Sequence, residues 1–408
     1  MQSTPVDTSL CQSCGMPLAY DRMLVQFDGK APGQGARCSY CSHPAHDPAF
    51  QRYDGEKAWL LDLILDVYQC EAAQRADLKP LVQKYLPPDS PRFAQVVELV
   101  KSVPQKQRQS EYDAIVLYSG GKDSSYMLLH LAKRPLRLCA WMLNQGYQSP
   151  AAIQNAQRLC ERIGVPLVID QPDKTKMDRL FRLGFDLTTQ QDPALVRSVM
   201  TYGSACWPCF STIITHATMF CSEHHIPFCF LGTQEGQNRY DLQGRPVLAG
   251  MGLASLQTVT DRFAKPFSDH AQQQCPEAAD VLHMAACHTA LVPFYEIIKK
   301  PAPEEQIALL KDVGWQMPNN TGTCSTNCMM NELGRQVMRQ RFGFDLYQVM
   351  DAHERRLGNK GDHSPEIMTQ PPLDQKSVQR AARMIKLTPV ERKAYNLEEE
   401  AASARPQP

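Results

Sequence analysis

The stretch Ser119-Gly120-Gly121-Lys122-Asp123-Ser124-Ser125 constrains this chain more than any other, because of what stands on either side of it. Before it, Asp113-Ala114-Ile115-Val116-Leu117-Tyr118 is a short apolar run of the kind that forms a buried parallel strand. After it, Tyr126-Met127-Leu128-Leu129-His130-Leu131 continues with apolar residues at helical period. Strand, turn and helix in that order place the turn at a helix N-terminus, where free N–H groups and the helix dipole attract an anion. The two glycines carry no Cβ, so the backbone can approach a ligand closely. Lys122 adds a full positive charge, and Ser119 and Ser124 add hydroxyl donors. The unit reads as a phosphate cradle.

Further apolar runs extend the pattern. A second strand is expected over Leu136 to Leu143, ending at Asn144-Gln145-Gly146. A helix over 151–163 leads to a third strand, Pro166 to Asp170, and a fourth is expected at Pro227 to Leu231, ending in Gly232-Thr233-Gln234-Glu235-Gly236. Apolar strands separated by helices indicate an α/β fold with a doubly wound parallel sheet. Such sheets bind ligands at the carboxyl ends of their strands. The loops 119–125, 144–146, 170–174 and 232–238 are therefore expected to ring one crevice. Along the chain the reading is a four-cysteine module over 1–56, a helical connector over 57–110 and the α/β core over 111–245. A helical region over 246–347 and a partly disordered tail over 348–408, with one helix at 375–386, complete it.

The chain has 408 residues, enough for two or three domains. Lys plus Arg equals Asp plus Glu at 43 each, so no global field draws it to nucleic acid or to an anionic membrane. No apolar run approaches a membrane span, and the start, Met1 to Asp7, lacks the basic and apolar segments of a signal peptide. A cytoplasmic protein is expected. In that reducing compartment fifteen cysteines do not make a disulfide framework. Seven of them, Cys70, Cys139, Cys160, Cys221, Cys229, Cys275 and Cys287, are isolated and read as small buried hydrophobes.

The other eight are clustered. Cys11-x-x-Cys14 and Cys38-x-x-Cys41 form two knuckles whose four thiolates suit tetrahedral zinc in a ribbon-like module, with little helical periodicity between them. His43 and His46 lie near enough to substitute as ligands, though surface positions suit them better. A closed four-cysteine site has no open coordination position, so it stabilises or docks and does not catalyse. Cys206-Trp207-Pro208-Cys209 just precedes a helix expected over 210–222, where a helix N-terminus would lower the thiol pKa. Cys324 and Cys328 sit in a Gly- and Asn-rich loop before a helix expected over Met329 to Gln340, and either would complete a three-thiolate set with Cys206 and Cys209.

The sequence S-G-G-K-D-S is not a Walker A motif, which needs G-x-x-x-x-G-K-[ST]. It closely resembles the PP-loop of the ATP pyrophosphatases. That resemblance implies a Rossmann-like sheet that binds ATP and cleaves it between the α and β phosphates. AMP is placed on a substrate oxygen, which nitrogen or sulfur then displaces. The CxxC at Cys206 and Cys209 with a distal cysteine is similar to PP-loop sulfurtransferases that hold a [4Fe-4S] cluster by three cysteines, one iron being left open to sulfide. The order of CxxC…CxxC, S-G-G-K-D-S, C-W-x-C and C-M-M also resembles the N-acetyl sugar amidotransferases, which take ammonia from a glutaminase. Thr321 to Cys328 is closer to ExsB-like PP-loop proteins.

What these resemblances imply is an adenylating enzyme. Ser119, Gly120, Gly121, Lys122, Asp123, Ser124 and Ser125 would hold the triphosphate with Mg²⁺, Lys122 stabilising the charge that develops. Asp123 would orient Mg²⁺ or cap the helix. Asn144 and Gln145 are candidates for the base or ribose, and Asp170 and Glu235 for metal or substrate. Sulfide at the cluster, or a persulfide on Cys206, Cys209, Cys324 or Cys328, would displace AMP. Ammonia is the alternative nucleophile, and an ATP-sensing regulatory protein the alternative class. A small-molecule substrate is favoured, with tRNA also in scope. A sulfur-donor protein or glutaminase is the partner to expect, and a homodimer fits the superfamily.

Overall fold

A computed structural model of the chain describes residues 9–46, 55–106, 109–234, 237, 253–358 and 372–397. Five parallel strands form one sheet in the order β3-β2-β1-β4-β5: β1 Ala114–Leu117, β2 Leu138–Leu143, β3 Leu167–Asp170, β4 Phe228–Leu231 and β5 Ala290–Pro293. Ile115 is level with Cys139 on β2 and with Cys229 on β4. This is a Rossmann-like α/β fold, with a four-cysteine cluster near its N-terminus.

Alternation along each strand builds two cores. Ile115, Leu117, Trp141 and Leu231 face one side, packed with the helices Lys174–Asp186 and Cys206–Glu223 and with the cysteine module. Val116, Ala140, Met142, Phe228 and Phe230 face the other, packed with the helices Ala58–Gln69, Lys122–Leu131 and Pro150–Ile163. The strands are apolar throughout because both faces are covered. Each fully buried phenylalanine contributes roughly 1.5–3 kcal/mol.

The four expected strands are present within two residues of their expected limits, and helix Pro150–Ile163 stands where a helix was read. Four readings need correction. The segment after residue 246 is not purely helical, since β5 adds the fifth strand beside β4. Between the two cysteine pairs lies the helix Leu18–Asp28, with Tyr20 and Leu24 buried. The boundary at 347 falls inside the helix Leu346–Arg356, whose Val349 and Ala352 join the main core. Beyond that helix, the described stretch 372–397 carries the helices Gln375–Met384 and Pro389–Ala394, with Val378, Ile385 and Tyr395 in the same core. Residues 359–371 and 398–408 of the tail lie outside the described residues. Of the isolated cysteines, Cys139, Cys160, Cys221, Cys229 and Cys287 are buried, whereas Cys70 and Cys275 are half-exposed. Among the described residues, no helix is long and apolar enough to cross a membrane.

The start of β1 is pinned by a buried carboxylate. Asp113 accepts from Tyr68 Oη at 2.7 Å, from Arg137 Nη2 at 2.8 Å and from the Arg137 backbone N–H at 2.9 Å. Burial works against its charge, yet hydrogen bonds from Arg137 and Tyr68 hold the carboxyl below its ordinary range. A depressed carboxyl contributes stability above its unfolded pKa of about 3.9 and loses that contribution as pH falls through the folded value. Asp113→Asn should therefore lower the melting temperature at neutral pH by the equivalent of about 1–3 kcal/mol. The gap to wild type should narrow below about pH 4, and a gap that widened in acid would contradict this account.

Candidate active site at the sheet's switch point

Strand β1 lies between β2 on one side and β4 on the other, so chain direction across the sheet reverses beside it. A crevice opens at such a point, outside the carboxyl ends of the strands. The turn after β1 and the turn after β4 both line a cleft of about 300 Å³ here, through Ser119, Lys122, Asp123, Gly232 and Thr233.

The loop after β1 has the shape its glycines permit. Gly120 has φ 70°, and a Cβ there would stand 1.9 Å from the Ala152 carbonyl oxygen. Trp315 Nε1 donates to the Gly120 carbonyl at 2.9 Å, fixing the turn from outside. Ser119 and Ser124 share a hydrogen bond between hydroxyls at 2.9 Å. Helix Lys122–Leu131 begins directly, with Asp123 in its first turn. Asp123 Oδ1 is gripped by Lys122 Nζ at 2.8 Å and by Lys300 Nζ at 2.9 Å. Burial opposes ionisation, but the charges of Lys300 and Lys122 hold the Asp123 carboxyl low. Burial in turn lowers the Lys300 ammonium, against the pull of Asp123.

Lys300 was not visible as a site residue in the sequence. It follows β5 and the short helix Phe294–Ile297, and Tyr295 Oη from that helix donates to the Asp123 carbonyl at 2.7 Å. The Lys299-Lys300-Pro301 turn after an apolar run was the available signal. Trp141 was missed as well. It is 1 % exposed on β2, it lines the cleft, and among the described residues its buried Nε1 has no partner. Around it Leu117, Leu143, Phe210, Ile213 and Leu231 make an apolar wall.

Several expected residues sit elsewhere. Ser125 is fully buried with its hydroxyl 3.1 Å from Tyr118 Oη, so it braces the loop from inside. Asn144 Oδ1 accepts from the Gly146 N–H at 3.0 Å, a local turn contact, and the residue does not line the cleft. Gln145 donates to the Cys209 carbonyl at 2.8 Å. Asp170 pairs with His216 Nδ1 at 2.7 Å, also away from the cleft. Loop 170–174 therefore does not join the ring. Glu235 lies outside the described residues.

The Cys206-x-x-Cys209 motif occupies the first turn of helix Cys206–Glu223, not the stretch before it. Trp207 anchors this turn, its Nε1 donating to the Phe263 carbonyl at 2.9 Å. Lowered thiol pKa values were expected there, and the opposite is found. Burial pushes Cys206 up to about 12, with the Cys328 charge adding to it. Cys209 is pushed well above its ordinary value by burial, then by Cys328 and Cys206. Burial raises Cys328 too, against the backbone N–H groups of Met330 and Asn331. Desolvation can shift a thiol by 3–5 units, whereas a helix terminus supplies roughly 0.3–1 kcal/mol, less than one unit.

The Cys328 charge thus acts on both Cys206 and Cys209, although among the described residues these three sulfurs are not drawn within 4.8 Å of one another as the four N-terminal ones are. Cys324 feels a different set, Arg335, Glu332 and Asp345, after burial itself. It lines the cleft with Thr326 and Asn327. Tyr347 joins the two groups. It lines the cleft, its hydroxyl donates to Asn331 Oδ1 at 2.8 Å, and burial followed by Cys206, Cys324 and Cys328 pushes its pKa well up.

The N-terminal cysteines form a second centre. Cys11, Cys14, Cys38 and Cys41 bring their sulfurs within 4.8 Å of one another, with Cys14 and Cys38 Sγ 3.7 Å apart. A tetrahedron with metal–sulfur bonds of about 2.3 Å needs sulfurs about 3.8 Å apart, so the set fits zinc. Gly15 at φ 74° turns the first knuckle, its N–H donating to the Cys11 carbonyl at 2.8 Å. Hydrogen bonds from Cys14, Cys38 and Cys41 pull the Cys11 thiol far down despite its burial. His43 is turned to the Pro32 carbonyl at 3.2 Å and is not among the clustered ligands. Arg356 Nη1 donates to Cys14 Sγ at 3.4 Å, and Arg355 Nη1 to the Cys14 carbonyl at 3.2 Å.

Compared with known proteins, the chain matches no family model and no curated protein. Among solved structures it is similar to the U34-tRNA thiolase NcsA from Methanococcus maripaludis with its [4Fe-4S] cluster. Identity is 15 %, the match covers 78 % of this chain and 92 % of that one, and the TM-score is 0.26. A likeness of that size transfers no residue role.

The loop geometry gives a direct check. Gly120→Ala adds a methyl group against the Ala152 carbonyl at a positive φ, so it should cost about 2–4 kcal/mol of stability in urea denaturation. Gly164→Ala, at φ 67° with open space around its Cβ position, should cost only about 1 kcal/mol.

Proposed function

We propose that this protein is an ATP-dependent enzyme of the PP-loop type that adenylates a substrate oxygen and replaces that oxygen with sulfur. The observation that carries the reading is the lining of the cleft, where Lys122 and Asp123 of the turn after β1 are joined by Cys324 and Tyr347 and by Phe210 and Ile213 of the helix that carries Cys206 and Cys209. A cationic turn and the elements that bear the half-buried cysteines therefore share one cavity.

The roles follow from the geometry. Ser119, Gly121, Lys122 and Ser124 take the phosphates, and Lys300 adds a second cation on the far side of Asp123. Asp123 is the one carboxylate among the described residues that line the cleft, and it orients both lysines or a Mg²⁺ ion bridging phosphate oxygens. The apolar wall around Trp141 suits a flat base, and its indole N–H, a donor only, suits an acceptor on that base. A substrate oxygen attacks the α-phosphorus and pyrophosphate departs. Sulfide then adds to the activated carbon, and the C–O bond breaks with AMP as leaving group. Lys122 and Lys300 stabilise the charge that moves onto the phosphoryl oxygens.

Cys206, Cys209 and Cys328 would hold an iron–sulfur cluster. Their buried thiols resist ionisation by themselves, and a polynuclear cation reverses that balance. When bound, such a cluster supplies an iron with an open position for sulfide. Cys324 stays outside this set and faces the cleft. Cys11, Cys14, Cys38 and Cys41 would hold zinc as a closed structural site. The small cleft and the neutral net charge favour a small-molecule acceptor over tRNA.

Protein purified without oxygen should carry about four iron and four inorganic sulfide per chain. It should also carry one zinc. Cys206→Ser, Cys209→Ser and Cys328→Ser should each lose the iron, whereas Cys324→Ser should keep it. Cys14→Ser should lose zinc and destabilise the fold by several kcal/mol. Colourless, iron-free protein would sink the cluster reading. AMP and pyrophosphate formed with ammonia but not with sulfide would transfer the assignment to an amidotransferase.

A further inference from the structure

The phosphate loop is in direct contact with the cysteine loop 321–328. The first helical N–H, that of Lys122, donates to Thr326 Oγ1 at 3.1 Å. A Cβ on Gly121 would meet Thr326 Oγ1 at 2.9 Å and Asn327 Oδ1 at 3.3 Å, so the two loops touch backbone to side chain. The donor that an anion would use is taken by a threonine hydroxyl.

The flanks of Thr326 are fixed. Upstream, the Thr323 N–H donates to Glu332 Oε1 at 3.2 Å, and Glu332 is fully buried. Downstream, the Asn327 carbonyl accepts from the Ser149 N–H at 2.7 Å, and Cys328 bridges to Gln148. Between these pins Ser325 closes a local turn, its carbonyl accepting from Thr321 Oγ1 at 2.6 Å and its Oγ from the Cys328 N–H at 3.0 Å, and Cys324 beside it lines the cleft.

We infer that Thr326 couples the nucleotide site to Cys324. One N–H makes one good hydrogen bond, so a phosphate oxygen that takes the Lys122 N–H displaces the Thr326 hydroxyl. The displaced Thr326 draws Ser325 off its bonds with Thr321 and the Cys328 N–H and opens Cys324 further to the cleft, while the bridge from Cys328 to Gln148 and the Met329 N–H on the Tyr147 carbonyl hold Cys328. Thr326 is in these terms a positioning residue. The inference rests on the nucleotide reading proposed above and adds to it a mechanical link between nucleotide and thiol.

The test uses the full chain, the α,β-methylene analogue of ATP and alkylation by N-ethylmaleimide mapped by mass spectrometry. Saturating analogue should speed alkylation of Cys324 about three- to ten-fold, the factor a single hydrogen bond controls, and leave Cys275 unchanged. Thr326→Val should alkylate fast with or without the analogue and bind it about three- to ten-fold more tightly, because an internal competitor is gone. Thr326→Ser should behave as wild type. Bound analogue with an unchanged or slower Cys324, or weaker binding by Thr326→Val, would overturn the coupling and leave the nucleotide site standing. No binding at millimolar analogue would overturn the nucleotide reading itself.

Discussion

Much of the molecule hangs on one buried arginine. Arg335, 2 % exposed, donates from Nη1 to Glu332 at 3.0 Å and from Nε to Asp345 at 3.2 Å, and both carboxylates are fully buried. A buried ion pair is seldom a net source of stability, because desolvation consumes most of the attraction. What it does here is join segments far apart in sequence. Glu332 also holds the Thr323 N–H at the head of the cysteine loop and the Asp374 N–H of the C-terminal segment, the latter at 2.8 Å. Asp345 caps helix Leu346–Arg356 with a full capping box. Removing the Arg335 charge takes from Glu332 the cation that pairs it, whereas Asp345 keeps Arg339 at 2.7 Å, so Arg335 and Glu332 are where the cleft wall, the cysteine loop and the C-terminal segment meet.

The sheet supplies the other half of the arrangement. With β1 flanked by β2 and β4, the loop after β1 opens into the crevice without help from any side chain. Side chains then decide its character. Lys122 and Lys300 make one end cationic, and the wall around Trp141 makes another part apolar. The half-buried thiols of Cys206 and Cys209 stand at the head of the helix that supplies Phe210 and Ile213 to the cleft, and there burial outweighs the helix terminus in setting their acidity.

The fold was largely legible in the sequence because a strand buried on both faces is an unbroken apolar run, and four of the five strands are such runs between turn residues. Strand β5 escaped because Ala290-Leu291-Val292-Pro293 is short and ends in proline within a stretch that otherwise reads as helical. The strand–turn–helix around Gly120 and the grouping of the four N-terminal cysteines were legible for a similar reason, as local spacing sets both. Residues brought in from a distance were not. Lys300 reaches Asp123 across 177 positions, and Thr326 reaches the Lys122 N–H across 204. Spacing alone could not rank Cys324 against Cys328. The three-dimensional surroundings differ, since the Cys328 charge acts on Cys206 and Cys209 whereas Cys324 lies near Arg335 and lines the cleft. Ser125 and Asn144 carry suitable atoms, but their local backbone turns them inward or onto themselves.

Helix Leu346–Arg356 is eleven residues long, about 16 Å from end to end. Tyr347 and Met350 at its start form part of the cleft wall, and Arg355 and Arg356 at its end grip Cys14. A rigid rod fixed at both ends transmits position. The N-terminal knuckles are therefore more than ballast for a small module: they are the abutment against which one wall of the cleft is braced.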